Sequence, residues 1–170
     1  MAYSPLKIRQ ACPSDLSLIV GFIEALAEYE KLRDACHANE ALLRHWLFGD
    51  VPRAYCLIAE WEGAPAGFAL YFYNFSTFLA RPGIYIEDVF VDPRFRRRGI
   101  AKALFAALAA QVVDEGCGRL EWSVLDWNTP AIDFYASLGA EPMQEWTIQR
   151  LTGEPLLALA NCNTCVDDEA

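Results

Sequence analysis

"RFRRRGIAKALFAAL", Arg94–Leu108, decides the fold. Four arginines fall within five residues, Gly99 follows, and the chain then turns apolar. Upstream, "IYIEDVFVD" (84–92) alternates as a strand does, and Pro93 ends it. The stretch is therefore a strand-to-helix turn, with a helix of a dozen residues or more from Gly99. A helix N-terminus offers unpaired backbone N–H groups and the positive end of the helix dipole. Gly99 lets the backbone turn and approach a ligand closely, and Ala101 is almost as small. Together they make a cradle for an anion with several oxygens, such as a pyrophosphate, to which the arginines add charge-assisted hydrogen bonds. The G-x-x-x-x-G-K-[ST] spacing of a Walker loop is absent. A solvated basic face or a nucleic-acid patch is the alternative reading of the same residues.

The rest of the composition bounds those choices. The 170 residues suit one domain, over 1–160, followed by a polar tail, 161–170. Net charge is −9, which disfavours nucleic acid and suits a cationic partner. Apolar residues make up 54%, enough to leave a subunit interface to cover. Ala103–Val113 is too short to span a membrane and reads as a buried helix, and "MAYSPLKIRQ" lacks the apolar block of a signal peptide, so a cytoplasmic, membrane-free protein is expected. The six cysteines (12, 36, 56, 117, 162, 165) are expected to be reduced thiols. Cys162-x-x-Cys165 cannot by itself close a four-ligand zinc site, and the histidines are His37 and His45, so no metal is expected.

Along the chain, "LKIRQA" reads as a strand and Pro13 opens a helix through Glu30, with Leu16, Ile19, Val20, Ile23 and Ala27 at helical spacing. Cys12 would be a poor N-cap. "NEALLRHWLF" reads as a short helix. "AYCLIAEW" and "APAGFALYFYNF" read as strands joined at "EGAP". In the next strand, alternation puts Ile84, Ile86, Asp88 and Phe90 on one face and Tyr85, Glu87, Val89 and Val91 on the other. "GRLEWSVL" is a strand, "NTPAIDFYASLG" a short helix stopped by Gly139, and "EWTIQRL" and "EPLLALA" two closing strands. The expected order is β-α-α-β-β-β-α-β-α-β-β, an α/β (α+β) fold with a mixed, mostly antiparallel central sheet flanked by helices.

Arg96-x-x-Gly99-x-Ala101 after a strand resembles the acetyl-coenzyme A signature of the GNAT N-acetyltransferase superfamily, and "DWNTPAIDFYASLGA" resembles its second signature. "ALAEYEKL" and "YIEDVFV" are similar to the spermidine/spermine (diamine) acetyltransferases, while "SVLDWN" and "YNFSTF" lean toward the thialysine acetyltransferase branch. The resemblance covers nearly the whole chain and implies an acetyl-CoA-dependent N-acetyltransferase of small amines, usually a homodimer. It implies pyrophosphate contacts at Arg96, Arg97, Arg98, Gly99, Ile100, Ala101 and Lys102. Acetyl and pantetheine contacts would come from Val89, Phe90 and Val91, and further cofactor contacts from Asn128, Thr129, Pro130 and Ala131. Substrate contacts are implied at Tyr29, Glu30, Glu87 and Asp88, with Glu121 and Glu145 as candidates for a distal positive charge. Ser76, Thr77 and Phe78 stand where the polyamine enzymes carry an acidic residue and a tryptophan, which favours shorter amines.

Acetyl transfer needs an amine that has lost a proton from a pKa near ~10, a stabilised carbonyl oxygen and a protonated leaving thiolate. The phenol of Tyr135 can give the last proton, the role the resemblance implies for it. Glu87 is the expected base or ammonium anchor. Glu87 and Asp88, as strand neighbours, are expected to face opposite sides. A backbone N–H near Phe90 or Val91 is expected to stabilise the oxyanion. Direct attack in a ternary complex is expected, because no cysteine lies in the matched motifs. The competing readings are acetylation of a protein lysine or N-terminus, and a non-catalytic acetyl-CoA sensor.

Overall fold

Glu62 and Gly63 both take left-handed backbone (φ 51° and 82°), a two-residue turn that matches the twist of a hairpin. They join β2 (Tyr55–Trp61) to β3 (Ala64–Ser76). The computed structural model describes residues 4–162. β1 (Leu6–Gln10) lies antiparallel beside β2, and β4 (Arg81–Val91) antiparallel beside β3. β5 (Leu120–Trp122) adds to β4 in parallel, completing a five-stranded mixed sheet in the order β1-β2-β3-β4-β5.

Between β1 and β2 the chain forms a 3-10 turn, Pro13–Asp15, then α1 (Leu16–Tyr29) and α2 (Glu40–Phe48). Asn39 caps α2 by accepting from Leu42 N–H at 3.0 Å. At the head of α1, Asp15 does what Cys12 cannot. Its carboxylate accepts from Cys12 N–H (2.8 Å) and takes the fork of Arg9 at 2.6 and 2.8 Å. Arg9 Nε also donates to Glu60 at 2.6 Å, so one guanidinium fastens β1 and β2 to the helix entry. That ion pair holds the Asp15 carboxyl well below the usual carboxylate range.

α3 (Ile100–Asp114) covers one face of the sheet and α1 the other. On the α1 face, Phe22 stacks on Phe68 at 5.6 Å and against Phe90 at 6.0 Å, in a core with Ile19, Leu26, Ile58 and Leu70. On the α3 face, Tyr71 donates to Gln111 at 3.1 Å and Tyr73 to Glu115 at 2.7 Å.

The expected alternation of β4 fails at one point. Leu70 pairs with Asp88, but Tyr71 pairs with Ile86, leaving Glu87 as an extra residue. This β-bulge shifts the phase of the strand. Ile84 and Ile86, opposite Tyr73 and Tyr71, lie on the α3 face. Asp88 and Phe90, opposite Leu70 and Phe68, lie on the α1 face. The four residues expected on one face are thus divided between two. A polar Glu-Asp step carries no hydrophobic signal that could have exposed the shift.

The chain divides into one compact unit running to Thr129 and a second beginning at Pro130. α4 (Thr129–Ser137) and α5 (Gly153–Ala160) are the remaining helices. Here the two expected closing strands are corrected. Residues 145–151 form neither helix nor strand, and "EPLLALA" is helical. Leucine and alanine favour helix over strand, Glu154 sits in the first turn near the positive dipole end, and Pro155 is tolerated there. Cys165 and the tail beyond Cys162 lie outside the described residues.

Candidate active site

The arginine turn has the geometry of an anion cradle. Arg97 and Gly99 both take positive φ, 61° and 77°, with Gly99 as the N-cap of α3. The first closing hydrogen bond of the helix runs from Ala103 N–H to Gly99 O at 3.0 Å. The N–H groups of Ile100, Ala101 and Lys102 precede it and remain available to an anion, which fits the pyrophosphate of a coenzyme A. A Cβ at Gly99 would meet no atom within 4 Å, so the glycine serves the backbone angle and not the packing. Ile100, by contrast, is fully buried and anchors the turn to the core.

The arginine side chains are already divided among tasks. Arg94 is clamped to Asp92 at 2.6 Å. Arg96 donates from Nε to Val91 O at 3.2 Å and lies 5.2 Å from the ring centre of Tyr29. Arg98 lies 4.9 Å from the ring centre of Trp61, a partner the sequence reading missed. Arg97 is exposed.

The bulge arranges the open edge of β4. Asp92 N–H donates to Ala66 O (2.9 Å), so residues 92, 90 and 88 turn their backbone groups toward β3. Val89 and Val91 therefore turn theirs the other way. β5 stops pairing at Ile86↔Trp122, so no strand among the described residues meets Val89 or Val91 on that side. Phe90 instead commits its side chain to the core with Phe22.

Glu87 and Asp88 do not face opposite sides. Two bulge residues oppose one partner, so both point to the α1 face. Burial pushes the Asp88 carboxyl up to about 6, and the charges of Glu87 and Glu30 push in the same direction. Burial also raises the Glu30 carboxyl. Glu30, Glu87 and Asp88, from the end of α1 and the bulge, thus form one carboxylate group beside the open edge.

Tyr29 links this group to the second signature. Its hydroxyl donates to Asn128 Oδ1 at 3.2 Å, and its ring lies 6.0 Å from that of Trp127. Trp127 is a second contact the sequence reading missed, although it stands beside a named residue. Asn128 is buried. Glu121 sits on β5, paired with Arg119 at 2.7 Å and accepting from Asn74 at 2.8 Å. Thr129, Pro130 and Ala131 form the first turn of α4. Tyr135 lies further along α4, its ring 5.5 Å from Phe134, and Glu145 is exposed in the second unit. Ser76 is buried and its hydroxyl accepts from Leu79 N–H at 3.2 Å, while Phe78 is exposed. Among the described residues no three His, Cys, Asp or Glu side chains gather as a metal site, and no helix is long and apolar enough to cross a membrane.

Known proteins resemble this chain over most of its length. The thialysine N-epsilon-acetyltransferase of Bos taurus is 39% identical over 164 residues, 90% of this chain and 96% of the relative. An L-ornithine N5-acetyltransferase of Arabidopsis thaliana is 49% identical over 98 residues, 58% of this chain and 43% of the relative. An integron cassette protein from the mobile metagenome of V. cholerae superposes with a TM-score of 0.78 at 28% identity, covering 94% of this chain and 99% of that one. The acetyltransferase (GNAT) family matches residues 19–140, across both signatures, the carboxylate group and the whole of α4. The chain belongs to the GNAT family and is an acetyl-CoA-dependent N-acetyltransferase acting on amines.

Proposed function

We propose that the chain acetylates the terminal primary amine of a short lysine-like amino acid or diamine, by direct attack while both substrates are bound. The observation that carries this reading is the bulge, which sets Glu87 and Asp88 on one face beside an open strand edge. An alkylammonium with a pKa near ~10 must lose a proton before its nitrogen can attack. Glu87 and Glu30 hold the cation, and Asp88, whose pKa of about 6 lies closer to neutrality than an ordinary carboxylate, takes that proton directly or through water. Val91 and Val89 N–H stabilise the carbonyl oxygen as charge builds on it. The turn at Arg97–Lys102 holds the pyrophosphate, and Asn128–Ala131 supply further cofactor contacts. Tyr135 gives its phenolic proton to the departing thiolate.

The printed activities of the thialysine and ornithine relatives support an amino acid with a terminal amine. So does the absence of a carboxylate at Ser76, Thr77 and Phe78, where a long polyamine would need one. We further propose that residues 1–160 act as one acetyltransferase domain, that the protein works in the cytoplasm, and that it is a homodimer. Exposed Phe75, Phe78 and Leu79 at the β3–β4 turn offer apolar surface for that pairing.

Release of coenzyme A, measured across thialysine, lysine, ornithine, short diamines, spermidine, spermine and peptide amines, tests the reading. Short lysine-like amines should lead in kcat/KM. A clear preference for spermine or for peptides overturns it, as does tight acetyl-CoA binding without turnover of any amine.

A further inference from the structure

Beside the carboxylate group, toward the β3–β4 turn, the same face of the sheet becomes mixed in charge. Tyr85 and Ser123 share a hydrogen bond of 2.6 Å between their hydroxyls. Glu121, the register partner of Tyr85 on β5, pairs with Arg119 Nε at 2.7 Å and accepts from Asn74 Nδ2 at 2.8 Å. Gly83 makes the crossing possible. A Cβ there would come within 2.6 Å of Asn74 Oδ1 and 2.9 Å of Arg119 Cγ. Arg119 and Glu121 are about one-third exposed, so both remain within reach of a ligand.

Two features of this strip are unspent. Glu121 lies 2.7 Å from Arg119 Nε, an ion pair without an aligned hydrogen bond among the described residues, and a guanidinium carries five N–H donors in a fork that matches a carboxylate. Asn74 Oδ1 is buried and accepts no hydrogen bond among the described residues. The spacing is also suitable. Tyr85 lies two residues from Glu87, about 6–7 Å along a strand, and β5 runs about 4.8 Å to its side. A chain of four methylenes spans about 6 Å at ordinary single-bond lengths.

We infer that Arg119, oriented by Glu121, receives the α-carboxylate of an amino-acid substrate whose terminal amine lies at Glu87 and Asp88. Glu121, with the spare acceptor capacity of Asn74 beside it, faces the α-ammonium. The inference rests on the small-amine reading above and narrows the substrate from amines in general to amino acids with a terminal amine. A polyamine, which has no carboxylate, gains nothing from Arg119.

Paired substrates test it: thialysine against 2-[(2-aminoethyl)thio]ethylamine, the same chain without its carboxylate, and lysine against cadaverine. The wild-type protein should favour the carboxylated member of each pair by about tenfold or more in kcat/KM, the scale of a charge-assisted hydrogen bond. Arg119→Gln should erase that preference through KM, leaving kcat within about twofold and the decarboxylated amines untouched. Arg119→Lys, which keeps the charge and loses the fork, should fall between the two and controls for folding. Equal losses on both members of a pair, or a wild-type protein indifferent to the carboxylate, overturn the inference while small-amine acetylation stands. If neither member is acetylated, the small-amine reading falls with it.

Discussion

The hydroxyl of Tyr29, at the last residue of α1, donates to Asn128 Oδ1 at 3.2 Å, joining residues 99 positions apart. Arg96 lies against the same ring, so one side chain touches both signatures. Tyr29→Phe keeps the ring contacts and strands a buried amide oxygen. It should lower stability by about 1–3 kcal/mol, the range for an unsatisfied buried acceptor. Chemical denaturation measures this. Unchanged stability would mean that Asn128 is satisfied by another donor.

Gly99 offers a sharper separation of backbone from ligand. Because no atom lies within 4 Å of its missing Cβ, Gly99→Ala should cost only the strain of a positive φ, about 1–2 kcal/mol. Gly99→Glu should additionally abolish acetyl-CoA binding in calorimetric titration, by placing a carboxylate among the N–H groups that meet the phosphates. Unchanged affinity in the folded Gly99→Glu protein would move the pyrophosphate elsewhere.

Asp88 sets an acid limb on activity. With its pKa at about 6, kcat/KM should fall as pH drops through that value, and Asp88→Asn should remove the limb together with most of the rate. The linkage to stability has a definite sign. The folded value lies above the unfolded 3.8, so the native state holds the proton more tightly. Wild-type stability relative to Asp88→Asn should be highest below pH 4, decline up to about pH 6, and stay level above it. Denaturation curves across that window, run on both proteins, give the answer. A difference that does not vary with pH would assign Asp88 an ordinary carboxyl.

Tyr135→Phe removes one oxygen from α4. Loss of a positioned general acid should slow single-turnover transfer roughly 10²–10⁴-fold, about 3–5 kcal/mol of transition-state stabilisation. Acetyl-CoA affinity should stay close to wild type. Wild-type transfer rates would leave the thiolate to take its proton from water.

Most of the first unit was legible because its signals are local. The Glu62-Gly63 turn, the Asn39 cap and the Gly99 N-cap each follow from one or two residues with special backbone preferences. The bulge at Glu87 was not legible, because parity along β4 is set by its pairing with β3 and two adjacent acids fit either phase. The partners of Arg96 and Arg98 were hidden for a related reason. Tyr29 and Trp61 reach them through the fold, not through spacing in the chain. At the C-terminal end, an apparent alternation in "EWTIQRL" found no neighbouring strand among the described residues, and the leucines and alanines after it obeyed their helix preference.

The bulge ties the chemistry to the architecture. Removing residue 87 would delete a carboxylate and the bulge together, because Ile86 already opposes Tyr71 and Asp88 already opposes Leu70. Asp88 through Val91 would keep their faces, and Phe90 its place against Phe22. A strand that kept residue 87 but flattened the bulge would instead turn Phe90 out of the α1 core, forfeiting about 1.5–3 kcal/mol of buried aromatic surface. The sheet therefore absorbs residue 87 as an insertion that sets a second carboxylate beside Asp88 without disturbing the core. Substrate preference can drift by substitution or loss at this one position, while the fold around it stays in register.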